Sequence, residues 1–303
     1  MERPPISVLL PTTTWTSACR QVAEQLQDDD ELLLLCDHES DPVAERTDLT
    51  PAVSVIPAGD PDGCSGKANA VDRGMDRASH DRIVWTDDDF DHPPDWLDTL
   101  SADYDRHGPV SEVPFFRGED PLSVFLEPTN VFGGTLTTWL GDIPWGGSVI
   151  FERDDLDIEA FRADLRRTVS DDGTLGEHLE MTTLKRVREV SAGGTVRESL
   201  ERFVRFIKIV RFHGPAITAF NALALLAITT ALVSFPLLTT VGVTLSYGLV
   251  YAAFGIRRWT FLLAVPATVV NLPLFAYALV RRTFVWGGRR YRWRSMFDVE
   301  IVE

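Results

Sequence analysis

Cysteine and lysine are scarce in this chain, and acids nearly vanish from its C-terminal third. Only Cys19, Cys36 and Cys64 occur among 303 residues. An odd count with no metal-ligand spacing excludes a disulfide framework and suits a reducing compartment. Lysine is confined to Lys67, Lys185 and Lys208, and arginine supplies the other basic positions. Residues 1–200 carry 17 Lys and Arg against 41 Asp and Glu, whereas residues 201–303 carry 12 against 4. An acidic surface repels phosphates, so nucleic acid is excluded as a partner. The Asp-rich, Lys-poor character resembles salt-adapted proteins and speaks to solvent more than to chemistry. The first apolar stretch, 6–10, is too short for a secretory signal and is closed by Pro11. It reads as a buried strand.

What is present in the acidic part is alternation. Short apolar runs at 6–10, 31–36, 52–56 and 82–86 are separated by helical patterns at 16–27, 67–78 and 95–103, and a further helical pattern covers 177–190. Strands alternating with helices predict an α/β fold with a mostly parallel sheet and helices on its faces.

From 212 to 256 there are 45 residues without Asp, Glu, Lys or Arg, and 259–280 adds 22 more. A helix needs about 20 apolar residues to cross the hydrocarbon core. Two spans are therefore expected at about 216–235 and 237–256, turning at Pro236. The run 259–280, interrupted by Pro266, Asn271 and Pro273, is expected either to cross or to dip in and return. Lys and Arg cluster at 202–211, 257–258 and 281–294 and favour the cytoplasmic side; a third crossing would put the last cluster on the opposite side, so the dip and return is the expected form. Residues 197–212 interleave Leu200, Phe203, Val204 and Phe206 with Arg202, Arg205, Lys208 and Arg211, the composition of a helix lying among lipid headgroups. The expected organisation is a catalytic domain at 1–196, this interfacial helix, a membrane region at 213–282 and a basic cytoplasmic tail at 283–303. The expected location is the cell membrane, multi-pass, with the catalytic domain cytoplasmic.

Three local patterns carry chemistry. The run 83–90 delivers Asp87, Asp88 and Asp89 at the C-terminal end of a buried strand, where ligands bind in open α/β sheets. At strand periodicity Asp87 and Asp89 face the same side, a hard-oxygen pair for Mg²⁺ or Mn²⁺ that diphosphate oxygens would complete. The alternative is that the acids cap the helix expected after Pro93-Pro94. Upstream, Gly66-Lys67-Ala68-Asn69 opens a helix and puts a cation where the helix dipole disfavours it. A nearby phosphate or carboxylate would resolve that conflict; an ordinary exposed lysine is the alternative. Finally, Asp171 and Asp172 stand at a helix start, either as caps or with one of them as a general base.

In order along the chain stand Pro11-Thr12, Asp37, Gly66-Lys67-Ala68-Asn69, Thr86-Asp87-Asp88-Asp89-Phe90, Trp145-Gly146-Gly147-Ser148 and Asp171-Asp172. This series resembles the family 2 glycosyltransferases, and more narrowly the ceramide glucosyltransferase group. That group's further elements are matched by Asp37 to Pro42, by Arg202-Phe-Val-Arg205-Phe206 with Phe206 in place of a Trp, and by the basic run 286–294. The resemblance implies a GT-A (Rossmann-like) fold, a nucleotide-diphosphate sugar donor, a divalent cation and inversion at the anomeric carbon. It further implies that Pro11, Thr12, Asp37, Lys67, Asn69, Asp87 and Asp88 bind the donor and that Asp87 and Asp89 bind the metal. Asp172, with Asp171 as second candidate, is the implied base. Trp145, Gly146 and Gly147 would shape the acceptor pocket, and Arg202, Arg205 and Phe206 would serve acceptor or phosphate.

A catalytic domain joined directly to a basic interfacial helix and apolar spans suits a lipid acceptor. The expected activity is a membrane-bound inverting hexosyl transfer to a lipid. A polyprenyl-phosphate glycosyl synthase and a non-catalytic sugar-nucleotide-binding membrane protein are the alternatives.

Overall fold

The computed structural model describes residues 3–302 and divides into two compact units. The first comprises 3–113, 141–184 and 294–301, and the second comprises 114–140, 185–293 and 302. In chain order the elements are β1 (Ile6–Pro11), α1 (Ser17–Ala23), β2 (Glu31–Cys36), β3 (Val53–Pro57), α2 (Gly66–Arg77), β4 (Arg82–Thr86), α3 (Trp96–His107), β5 (Val110–Gly118), α4 (Pro121–Asn130), α5 (Thr137–Leu140) and β6 (Ser148–Glu152). There follow α6 (Ile158–Leu165), α7 (Asp171–His178), β7 (Thr182–Ala192), α8 (Val196–His213), α9 (Pro215–Ser234), α10 (Pro236–Ala253), α11 (Ala264–Val280), β8 (Thr283–Trp286), β9 (Arg289–Ser295) and β10 (Asp298–Ile301).

The apolar runs of β1, β2 and β4 are buried on both faces, as central parallel strands require. Side chains alternate between two cores. Leu9, Leu33, Leu35, Ile83 and Trp85 meet Ala68, Val71 and Met75 of α2 and Phe161 and Leu165 of α6. Ile6, Val8, Leu10, Leu32, Leu34 and Val84 meet Val22 of α1 and Trp96, Leu97 and Leu100 of α3. The sheet has seven strands in the order β3-β2-β1-β4-β6-β5-β7. β1 is parallel to β2 and β4, and β2 to β3. β6 runs antiparallel to β4 with Ser148 opposite Thr86. That register delivers the segment 145–147 to the C-terminal end of β4.

The helical pattern expected over 177–190 is corrected. The helix stops at His178, and residues 182–192 form β7, the edge strand of the sheet. Leu184, Val187 and Val190 recur every third residue and so imitate a helix face. Thr182, Thr183, Val187 and Val190 are β-branched and favour the strand once a partner is present.

The second unit is mainly helical. α4 continues through a π-helical turn (Val131–Leu136) into α5. α8 opens with a capping box in which Thr195 Oγ1 accepts from Glu198 N and Glu198 answers Thr195 N. Three segments are long and apolar enough to cross a membrane: Pro215–Ser234, Pro236–Ala253 and Trp259–Val280, with mean hydropathies of 2.0, 1.3 and 1.8. The last is a 3₁₀ turn running into α11, which continues through Pro273. The sequence assigned no structure to 283–303. Residues 283–286 and 289–295 pair as an antiparallel hairpin, turned by Gly287 and Gly288 at φ 55° and 75°. Two successive positive φ values are the requirement of a type I′ turn. Residues 294–301 belong to the first unit, where Phe297 lies under the Arg167 guanidinium.

Candidate active site

The first unit gathers its polar side chains at the C-terminal ends of β1, β2 and β4. Pro11 closes β1, and Thr12 follows with its N–H bonded to Leu35 O at 2.8 Å. Thr12 Oγ1 lies 2.7 Å from Thr14 O and 2.6 Å from Asp88 Oδ2. Asp37 comes directly after β2. Its N–H and that of His38 both donate to Asp41 Oδ2, at 2.8 and 2.9 Å, which curls the loop around Asp41. Asn69 in α2 donates to Gly59 O at 3.0 Å. Asp37, His38, Pro57, Gly59, Asn69 and Arg73 line an open cavity of about 470 Å³.

Lys67 stands in the first turn of α2, capped by Ser65 Oγ accepting from Ala68 N. Ser65 also donates to Val169 O at 2.8 Å and its N–H to Thr168 O at 2.9 Å. These bonds bring the start of α7 alongside the start of α2. Lys67 Nζ consequently lies 2.7 Å from Asp87 Oδ1 and 3.2 Å from Asp171 Oδ2. Two carboxylates resolve the conflict of a lysine at a helix N-terminus. Burial opposes the Lys67 charge, but Asp171, Asp87 and Asp172 outweigh it and hold the pKa above the ordinary lysine value. Asp171 is 3% exposed. Burial pushes its carboxyl up to about 6, against the pull of Lys67 and with the help of Asp172 and Asp87.

The aspartate series lies just beyond the strand, so strand alternation does not set its side chains. β4 ends at Thr86, and the three residues lie in the bend beyond it. Asp87 turns to Lys67 and Asp88 to Thr12. Asp89 has an exposed surface but stands among protein walls that weaken its hydration. That desolvation, with the charges of Asp87 and Asp88, raises its carboxyl to about 7 despite Lys67. Asp88 is also raised, first by burial, with its bond from Thr12 opposing. None of the three caps α3, whose N-cap position is Asp95.

Segment 145–147 seals this group. A Cβ on Gly146 would stand 2.9 Å from Asp171 Oδ2 and 3.4 Å from Lys67 Nζ. A side chain there would press on that ion pair. Gly147 O accepts from Thr86 Oγ1 at 3.0 Å. Trp145 is 7% exposed and packs on Phe90 with centroids 5.3 Å apart, so its ring supports the segment from beneath. At α7, Asp172 Oδ1 accepts from Ser170 Oγ at 2.6 Å and Gly173 N at 2.8 Å. Ser170 is the N-cap of α7, its Oγ accepting from Gly173 N at 3.1 Å; of the two aspartates, Asp171 faces Lys67 and Asp172 holds the first turn of the helix through Oδ1.

Arg202, Arg205 and Phe206 belong to the second unit. Arg202 donates to Gly193 O at 3.2 Å. The Arg205 guanidinium lies 4.0 Å from the Trp286 ring centroid, and Phe206 packs on Phe116 at 5.2 Å. Beside Arg202 and Phe206 is a cavity of only about 20 Å³, room for about one water.

Sequence reasoning passed over His92 and Ser65. His92 Nε2 is 2.6 Å from Thr86 Oγ1 and its ring lies 4.2 Å from Phe90 and 4.5 Å from Trp96. It fixes the residue from which the aspartate bend departs. A histidine six residues after the strand's last threonine was the available signal. Among the described residues no three His, Cys, Asp or Glu side chains converge to hold a metal unaided. The hard-oxygen chemistry of Asp87 and Asp89 still fits a cation whose other ligands come from a substrate and water.

Residues 13–132 match the model of the family described as Glycosyl transferase family 2. The match contains Asp37, Lys67, Asn69 and the aspartate series and ends before Trp145 and Asp171. With the sheet order, it identifies the fold as the Rossmann-like mixed α/β arrangement of GT-A type. Among solved structures, a mycobacterial protein is 19% identical, with a TM-score of 0.40, covering 68% of this chain and 74% of its own. Glucosyl-3-phosphoglycerate synthase from Mycobacterium tuberculosis in complex with phosphoglyceric acid is 16% identical, with a TM-score of 0.39 and coverages of 68% and 80%. The same enzyme with Mn²⁺, uridine diphosphate and glucosyl-3-phosphoglycerate gives the same values. No curated protein matches the chain. The family match reaches a family 2 domain, and the narrower resemblance to the ceramide glucosyltransferase group is not shown by it.

Proposed function

We propose that this protein is a membrane-bound inverting glycosyltransferase that moves a hexose from a nucleotide-diphosphate sugar to a lipid. The observation that carries the reading is Lys67 held between Asp87 and Asp171, in the same unit as the cavity lined by Asp37 and Asn69. A nucleotide sugar needs both features: a recess for the nucleoside and a charged end for the diphosphate. Asp37 would accept from the base. Lys67, already carrying its proton, would shift toward the phosphates when they enter. Asp171 keeps that ammonium in place, and Thr12 orients Asp88.

A divalent cation would be held by Asp87 and Asp89 and shared with the donor; when bound it would neutralise charge on the departing diphosphate. Asp172 would take the proton from the acceptor hydroxyl as that oxygen attacks the anomeric carbon opposite the leaving group. Gly146 and Gly147 let the acceptor approach the backbone. Arg202, Arg205 and Phe206 would serve the lipid side. The lipid acceptor is supported by the apolar segments 215–234, 236–253 and 259–280, of which the first two would cross the membrane and the third would dip in and return, and by the basic α8 that precedes them.

The test is to incubate membranes containing the protein with a panel of labelled sugar nucleotides, with and without chelator, and to identify labelled lipid by mass spectrometry. A labelled lipid that disappears with chelator supports the reading. Transfer to no lipid from any donor, together with no calorimetric binding of a sugar nucleotide, would overturn it.

A further inference from the structure

Lys208 of α8 is only 3% exposed, and no acid stands near it among the described residues. Burial and the two neighbouring cations, Arg211 and Arg281, together press its pKa below the ordinary lysine value. Its one ring contact is remote, with Nζ 5.9 Å from the Phe212 centroid. Glu201, the acid on the same helix face, is already occupied. It accepts from Arg281 Nη2 at 3.1 Å and from Val285 N at 3.0 Å. An ammonium at the end of a largely buried side chain, without a counter-charge, is costly. The fold nevertheless keeps one here and adds two guanidinium groups.

The position of the cluster narrows what would compensate it. Glu201, Val204, Lys208 and Arg211 recur at three- and four-residue spacing, one face of α8. Arg211 Nη1 donates to Leu279 O at 2.9 Å, at the last turn of α11. Arg281 follows that helix directly and also bonds the Tyr277 hydroxyl. The three cations therefore converge where α11 ends and shortly before α9 begins, at the edge of the apolar segments. A tetrahedral oxyanion suits this set: an ammonium supplies compact charge, and arginine forks match paired phosphate oxygens.

We propose that Lys208, Arg211 and Arg281 form a binding site for a phosphate group, separate from the sugar-nucleotide site of the first unit. The group would come from the headgroup of an anionic phospholipid or from free phosphate. The placement beside apolar helix ends favours the headgroup, and that source alone rests on the membrane-bound reading.

The test compares thermal unfolding of the full-length wild type and Lys208→Met in three settings. These are phosphatidylcholine vesicles, the same vesicles with one-fifth phosphatidylglycerol, and phosphatidylcholine vesicles with added inorganic phosphate. In neutral vesicles Lys208→Met unfolds at or above the wild-type temperature, because an unpaired buried charge has gone. Phosphatidylglycerol raises the wild-type temperature by several degrees and leaves the variant unmoved. The variant's phosphatidylglycerol affinity, read by native mass spectrometry, falls roughly tenfold, and Lys208→Arg restores most of it. Stabilisation by inorganic phosphate but not by phosphatidylglycerol assigns the site to free phosphate. No anion-specific gain in the wild type, or an equal gain in Lys208→Met, overturns the site. If the protein leaves all vesicles yet phosphate still stabilises it in a Lys208-dependent way, the membrane reading fails and the site stands.

Discussion

The backbone at Gly146 approaches Asp171 so closely that a Cβ there would come within 2.9 Å of the carboxylate oxygen that faces Lys67. The glycine thus sets the position of an ion pair it never touches through a side chain. Gly146→Ala forces Asp171, Lys67 or the segment itself to shift. A displacement of this kind costs about 1–3 kcal/mol of stability when the neighbours are packed. Turnover should fall further, on the order of 10²-fold, because the charged cluster loses its geometry. Urea unfolding and a sugar-transfer assay measure the two effects. Unchanged turnover would mean that the position of Asp171 is immaterial.

Lys67 is the counter-charge on which two acids depend. Lys67→Met leaves Asp171 buried beside Asp87 and Asp172 without a cation, and removing one member of a buried pair costs about 3–5 kcal/mol. The Asp171 carboxyl, now at about 6, should then titrate higher still. Lys67→Met with Asp171→Asn should recover part of the lost stability, since the orphaned charge is gone. Denaturant unfolding of the four proteins yields the coupling directly. Strict additivity would show that the ion pair is energetically idle.

Acidity should control cation binding. The Asp89 carboxyl is raised to about 7 and that of Asp171 to about 6 in the cation-free protein. A protonated carboxyl is a poor ligand, so affinity for Mn²⁺ or Mg²⁺ rises as pH climbs through 7 and levels off above it. The sign for stability is the reverse. The folded state binds more protons than the unfolded state between about pH 4 and 7, so cation-free stability declines across that window. Asp89→Asn removes its part of the decline, making the variant the more stable protein above pH 7 but not below pH 4. Calorimetric titrations and melting curves at several pH values check both signs. Cation affinity independent of pH between 5 and 8 would contradict the Asp89 assignment.

The parallel strands were legible because burial on two faces writes uninterrupted apolar runs, as in residues 31–36. Asp87, Asp88 and Asp89 were legible because three adjacent acids after such a run have little structural use. What they do individually was not, since the strand ends one residue earlier and the bend sends Asp87 and Asp88 to different partners. The Lys67–Asp171 pair joins residues more than a hundred positions apart, and no local pattern encodes that closure. Trp145 was expected to shape the acceptor pocket, and no local pattern reveals that Phe90 packs on its ring. The hairpin at 283–295 did carry its signal, two glycines between alternating aromatics, beneath a density of arginine that suggests a tail.

Asp172 gives the sharpest division between acceptor chemistries. Its Oδ1 is engaged by Ser170 Oγ and Gly173 N, which fixes the carboxylate at the start of α7. Asp172→Asn keeps an oxygen for those donors, so the helix end should survive with a loss of about 1 kcal/mol or less. The variant cannot accept a proton. With a hydroxyl acceptor, turnover should therefore fall by roughly 10²–10⁴-fold while sugar-nucleotide affinity is retained. With a phosphate acceptor, already ionised, the fall should be small. Single-turnover transfer from a labelled donor, paired with calorimetric donor binding, separates the cases. A variant that binds donor normally and transfers to a hydroxyl lipid at the wild-type rate would remove Asp172 from the chemistry and leave it only the first turn of α7 to hold.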